Sequence, residues 1–224
     1  MSLRLFRTTE YKALAYRLAL AYIFYFLSRL SFYSFNKAHL HIEGIADFFR
    51  LAFYGLLFDT TAIIYVNLLF IFLSVLPLLI NTKKSFQKVL FWVYFACNIP
   101  AYLLNFIDIV YFSYNKTRLT TNDWALVENE HNPLTLMVGF LVQYWAIFAV
   151  FLVLIVLWIF LYKKVQVREE EVTHRKPYFI TSAIVLALLA PTLIFGIRGF
   201  SFRAGVIPLT VMDASKYARD ISQV

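Results

Sequence analysis

The chain has 224 residues and is 61% hydrophobic and 15% charged, with a mean hydropathy of +0.69. Soluble domains carry about 25% charged residues, so a soluble globular fold, a disordered chain and a nucleic-acid module are excluded in favour of a helical membrane protein. Six Gly and one Cys leave no Gly-rich phosphate loop and no paired-Cys metal site. The net charge of +8 reads as headgroup-facing Lys and Arg at the ends of apolar runs.

The first apolar run covers residues 13–33. A membrane-crossing helix needs about 20 mostly apolar residues, so this run spans, and it is too long for the core of a cleavable signal peptide. Arg17 inside it reads as a snorkelling interface residue, and Arg29 lies near its far end. Residues 34–50 form a loop whose second half is amphipathic, with Ile42, Ile45, Phe48 and Phe49 opposite Glu43 and Asp47, as in an interfacial helix. His39 and His41 have no third ligand at metal spacing and read as wet loop histidines.

The second and third runs, 51–80 and 89–113, carry Asp59, Thr60, Thr61 and Asn67 on one and Asn98, Asn105 and Asp108 on the other. The lone Cys97 reads as a small apolar side chain. A longer loop, 114–135, holds Arg118 and a glycosylation-like triplet, Asn115-Lys116-Thr117, with Pro133 ahead of the fourth helix. The fourth and fifth runs, 136–162 and 178–197, flank a charged turn, 164–177, in which Glu169, Glu170 and Glu171 read as a solvated face. Stretches such as LLFIFLSVLPLLI are apolar all round, which excludes the alternating strands of a membrane β-barrel.

The predicted fold is therefore all-α and polytopic, with five transmembrane helices. Arg4, Arg7, Lys12, Lys83, Lys84, Lys88, Lys163, Lys164, Arg168, Arg175 and Lys176 outnumber Lys37, Arg50, Lys116 and Arg118 in the loops of the other side. The positive-inside rule then puts the N-terminus in the cytoplasm and the C-terminus outside. Interfacial aromatics fit this layering: Tyr11, Tyr16, Trp92, Tyr162 and Tyr178 inside, Tyr33, Tyr111 and Tyr114 outside.

An ionisable group in hydrocarbon is costly and marks a candidate site. With this threading, Arg29, Asp59, Asp108 and Arg198 fall in one outer-leaflet layer, with Arg118 just outside. Asn98, Asn105 and Asp108 share a helical face predicted to point into the bundle. One reading is a polar pocket whose guanidinium groups hold a lipid phosphate. The other is a packing network in which acids and arginines neutralise each other and fix helix order.

Three segments carry a family resemblance: GLLFDTTAIIYVNLLFIFLSVLP (55–77), NFIDIVYFSYNKTRLTTND (105–123) and FGIRGFSFRAGVIP (195–208). They are similar to a Gly-x-x-Phe-Asp-x-(Ser/Thr)-Ala segment with a later Asn-Leu pair, an Asn-x-x-Asp-x-x-Tyr-Phe run, and an Arg-Gly-Gly stretch in lipoteichoic-acid-synthase-like proteins. These are sulfatase-fold phosphotransferases of the alkaline phosphatase superfamily. In this chain residues 198–200 read Arg-Gly-Phe instead. The resemblance implies the five-span membrane domain of such a protein in a bacterial-type cytoplasmic membrane. The whole enzyme is then expected to transfer a phosphoglycerol- or phosphoethanolamine-like group from a phospholipid, or to hydrolyse a sulfate or phosphate ester.

In that family an extracytoplasmic catalytic domain carries a Thr or Ser nucleophile and a divalent metal (Mn, Mg or Zn). Residues 198–224 are too few to build such a domain and read as a juxtamembrane linker, with a surface helix expected at 209–219 after Pro208. The implied partners are membrane phospholipid and the sulfatase-like domain, with no cofactor in this stretch and no nucleic acid. Two alternatives are a small ion- or proton-coupled transporter built around Asp59 and Asp108, and an accessory membrane protein.

Overall fold

The computed structural model describes residues 7–40, 42, 44–119, 133–167 and 175–200. These form six α-helices: α1 (Thr8–Asn36), α2 (Ile45–Val75), α3 (Lys84–Asn115), α4 (Pro133–Gln143), α5 (Trp145–Lys164) and α6 (Arg175–Ile197). A single 3-10 turn, Lys37–His39, follows α1. Five of the helices, all but α4, are long and apolar enough to cross a membrane. The described residues contain no strand, as the apolar runs require.

Several boundaries differ from the apolar runs for local reasons. Hydrophobicity locates the span, whereas hydrogen bonding locates the helix. The amphipathic stretch expected in a loop is the opening of α2: Gly44 accepts from the Phe48 N–H, and the helix continues unbroken to Val75. At the other end α2 stops before Pro77, short of residue 80. Its free carbonyls at Ser74 and Val75 accept the Arg7 guanidinium at 3.1 and 2.8 Å. A helix needs such partners for its last carbonyls. The fourth run is interrupted at Tyr144, which separates α4 from α5 with a non-helical ψ of 29°. The expected helix at 209–219, His41 and the Glu169–Glu171 run lie outside the described residues.

α1, α2 and α3 pack mutually. α6 lies against α2, α5 lies against α1 and α3, and α4 touches α5. The core where α1, α3 and α5 meet is aromatic. Phe24 stacks on Trp158 at 4.6 Å, and Tyr94 meets the same indole edge-on at 5.9 Å. Lipid is as apolar as Leu, so helix association in a membrane relies on close packing and interhelical hydrogen bonds. Both are present: Trp158 Nε1 donates to the Tyr94 hydroxyl (3.1 Å), which donates to the Arg17 carbonyl (2.8 Å). Asn67 and Asn98, both fully buried, exchange amide bonds of 3.2 and 2.7 Å between α2 and α3.

Three residues read as interfacial aromatics are buried instead: Tyr33, Tyr162 and Tyr178. Tyr33 and Tyr162 are captured by aromatic neighbours from another helix, Phe48 for Tyr33 and Phe91, Tyr94 and Phe95 for Tyr162. Tyr178 is covered by Arg7 and donates its hydroxyl to the Leu78 carbonyl at 2.7 Å. Trp92 and Tyr114 are exposed, as a belt position requires. Arg17 does not snorkel: it is 5% exposed and turned toward α3 and α5, where Gln87 and Tyr162 receive it.

Candidate functional site

The site is built at the end of the bundle where α1, α3 and α6 finish. On α1, Arg29 points at α2, where Gly55 and Asp59 stand one turn apart on the same face. Its Nη2 donates to Asp59 Oδ1 at 2.8 Å and to the Gly55 carbonyl at 2.9 Å, and its Nε reaches Asp59 Oδ2 at 3.3 Å. The pair is a two-pronged carboxylate fork, the geometry in which Arg binds most tightly. The two side chains are 8% and 16% exposed, so the pair is removed from water.

Gly55 permits this approach. A Cβ at position 55 would lie 2.1 Å from Arg29 Cζ, inside any real contact distance. The glycine is therefore a seat for the guanidinium. The signal was present in the sequence as Gly55-x-x-x-Asp59, a small residue four before an acid, but it needed the register of α1 to be read.

A second ion pair lies beside the first. Arg118 Nη1 donates to Asp108 Oδ2 at 2.6 Å, and the Leu119 N–H donates to Asp108 Oδ1 at 2.7 Å. The Asp108 carboxylate thus folds the chain after α3 back over its own helix end. Lys116 in the left-handed conformation (φ 58°) starts that reversal, its N–H bonded to the Phe112 carbonyl. The Arg118 guanidinium lies 3.7 Å from the centroid of Phe32, which is one turn beyond Arg29 on α1. Asn36 closes the layer from above. It is fully buried, donates to the Ile109 carbonyl and accepts from the Ser113 hydroxyl.

The end of α6 joins at α2. Thr61 donates its hydroxyl to the Ile197 carbonyl at 3.2 Å, one residue before Arg198. The Phe200 N–H returns to the Phe195 carbonyl and the Gly199 N–H to the Gly196 carbonyl, a helix-closing turn with Gly199 at φ 64°. Phe200 also sits at φ 58°, where a glycine would be unstrained. That is the position at which the sequence reads Arg-Gly-Phe in place of Arg-Gly-Gly.

The structure thus brings Arg29, Asp59, Asp108 and Arg118 together as two ion pairs and leaves Arg198 half-buried beside the α2–α6 contact. Asn105 is half-buried one turn below Asp108 and joins neither pair. Among the described residues no group of three or more His, Cys, Asp or Glu stands close enough to hold a metal ion. Sequence reasoning missed Arg7 as a structural residue. It binds Glu10, the end of α2 and the Ser182 hydroxyl, and it lies over the rings of Tyr11 and Tyr178. Burial works against its charge, but Glu10, with Tyr178 and Tyr11 beside it, holds the Arg7 pKa above its ordinary value. No protein-family model, curated protein or solved structure matches this chain.

The two pairs differ in exposure, which separates their energetics. Arg118 is 31% exposed, so solvent screens its attraction to Asp108. Arg118→Ala is expected to cost about 1 kcal/mol or less in a denaturation titration, and to free residues 116–119 to faster amide hydrogen exchange.

Proposed function

We propose that this chain is the membrane domain of a lipoteichoic-acid-synthase-like enzyme: an anchor and positioning platform, threaded with its N-terminus in the cytoplasm and its C-terminus outside. One observation supports it best. The three segments that carry the resemblance are far apart in sequence but converge at one end of the bundle. Asp59 belongs to the first, Asp108 and Arg118 to the second, and Ile197 and Arg198 to the third. They are tied through Arg29, Phe32 and Thr61.

In this reading the arginines act chiefly as clasps. Arg29 already has a carboxylate and a carbonyl as partners, and Arg118 has a carboxylate and a ring. Such a network fixes helix order at the level where α6 delivers the chain to the outer surface. A catalytic unit mounted there would be held at a set height above the headgroups. The same ion pairs weigh against proton-coupled transport, because both carboxylates are already engaged by arginine.

The reading predicts no chemistry from residues 1–224 alone. Purified chain supplied with Mn, Mg or Zn is expected to leave an aryl phosphate and phospholipid headgroups intact over hours. A reporter fused after Val224 is expected to be active outside the cytoplasm only. Turnover by the isolated chain, or a reporter active in the cytosol, would overturn the proposal.

A further inference from the structure

We infer that residues 201–212, which follow the turn at the end of α6, dock on a bare face of α2 that stands clear of the hydrocarbon. The contact fixes the direction in which the chain leaves the bundle, and it is independent of the function proposed above.

The face is defined by where α6 stops. From Lys176 to Ile197 this helix has 22 residues, about 33 Å at 1.5 Å each, enough to cross ~30 Å of hydrocarbon. Near its start the Tyr178 hydroxyl donates to the Leu78 carbonyl, just past α2, and at its end the Ile197 carbonyl accepts from Thr61. α2 does not stop there. It continues from Thr61 to Ile45, about 24 Å farther along its axis. α1 and α3 pack against other sides of α2. The side that meets α6 is marked by Thr60, Thr61 and Ile64: a Cβ on Gly196 would lie 2.7 Å from Ile64 Cδ1 and 3.5 Å from Thr60 Cγ2. Phe53 and Phe49 lie two and three turns beyond Thr60 on the same side, since 7 and 11 residues are close to whole multiples of 3.6. They are 61% and 63% exposed, and Ile45 on the flank is 78% exposed.

Lipid does not cover this face. Phe53 and Phe49 stand about 12 and 18 Å above Thr61, whereas the headgroup layer adds only about 5–8 Å to the hydrocarbon on each side. Exposed apolar side chains grouped outside lipid mark a contact surface. The chain itself supplies the occupant. It leaves α6 at the foot of the face, and between Arg203 and Asp213 it carries no charge. Val206, Ile207, Leu209, Val211 and Met212 fall in that stretch, so it too gains from leaving water. Reach is sufficient: the eight residues 201–208 span up to about 26 Å when extended, more than the ~18 Å from Thr61 to Phe49.

The test uses the full chain in lipid nanodiscs. In wild type, amide hydrogen exchange at residues 204–212 is expected to be about tenfold slower than in an unstructured peptide of that sequence. Phe49→Ser/Phe53→Ser is expected to remove that protection and to leave the exchange of α5 unchanged, which separates lost docking from lost folding. In a Cys97→Ser background, Phe53→Cys is combined with Cys at Val206, Ile207 or Leu209 in turn. Mild oxidation is expected to give a disulfide within one chain, whereas Val142→Cys on α4 gives none with the same partners. Exchange decides if no pair meets disulfide geometry. Unprotected residues 204–212 in wild type would overturn the proposal, and so would protection that survives the double serine variant. A disulfide joining two chains would make a second copy the occupant and overturn it. Quenching of a bimane on Phe49→Cys by brominated acyl chains would do the same in favour of lipid.

Discussion

Asp59→Asn is expected to lower stability by about 3–5 kcal/mol, the usual cost of removing one partner from a buried ion pair. The effect follows from what remains. Asn is nearly isosteric and still offers an acceptor to Arg29, but the buried guanidinium keeps a full positive charge with no counter-charge. Titration of the purified protein with SDS in mixed micelles measures the loss. The informative comparison is the double variant Arg29→Met/Asp59→Leu, which removes both charges. Replacing a whole buried pair by apolar groups is often neutral or stabilising, and in lipid neither group needs solvating. The double variant is therefore expected within about 1 kcal/mol of wild type. Its coupling energy isolates the pair from the separate desolvation costs. If the double variant is as unstable as Asp59→Asn, the pair is not the source of the loss and the clasp account fails. If it is stable but the transfer activity proposed above is lost, the arginine does more than hold α1 to α2.

The spans were legible because burial in lipid demands long uninterrupted apolar runs, and this sequence has them at 13–33, 51–80, 89–113, 136–162 and 178–197. The layer of charges was legible for a related reason: once the threading is fixed, Arg29, Asp59 and Asp108 can be placed by counting residues. Pairing was not legible. Counting places Arg29, Arg118 and Arg198 within reach of both acids. Only the rotation of each helix about its axis assigns Asp59 to Arg29 and Asp108 to Arg118.

Arg17 shows the same limit more sharply. Depth alone made it a snorkelling residue, because the sequence does not reveal that α3 and α5 cover that side of α1. Tyr33 and Tyr162 misled for the reverse reason, since an aromatic near a span end suits either a headgroup belt or an interhelical core. The break at Tyr144 left no trace in hydropathy, which averages over the peptide geometry that makes it.

Gly55→Ala provides the most specific test of the site, because two effects of opposite sign compete. In a helix interior Ala is favoured over Gly by about 1 kcal/mol, so a glycine with nothing against it should gain from the change. At position 55 the new Cβ would fall 2.1 Å from Arg29 Cζ and Nη1 and 2.6 Å from Nε. Real side-chain carbons do not come that close, so the guanidinium must retreat by about 1 Å or more to reach ordinary van der Waals separation. Retreat breaks its bond to the Gly55 carbonyl and spoils the two-oxygen fork on Asp59. A buried charged hydrogen bond carries about 1.5–3 kcal/mol, which exceeds the helix gain. The net expectation is a loss of about 1–3 kcal/mol in the same SDS titration. In the Arg29→Met/Asp59→Leu background the charged fork no longer exists, and a flexible Met can swing clear of a methyl group. There Gly55→Ala is expected to stabilise the protein by up to about 1 kcal/mol. A reversal of sign between the two backgrounds ties the glycine to the guanidinium. The same loss in both would place the obstruction in the helix backbones, and a glycine at this turn of α2 would then owe nothing to Arg29.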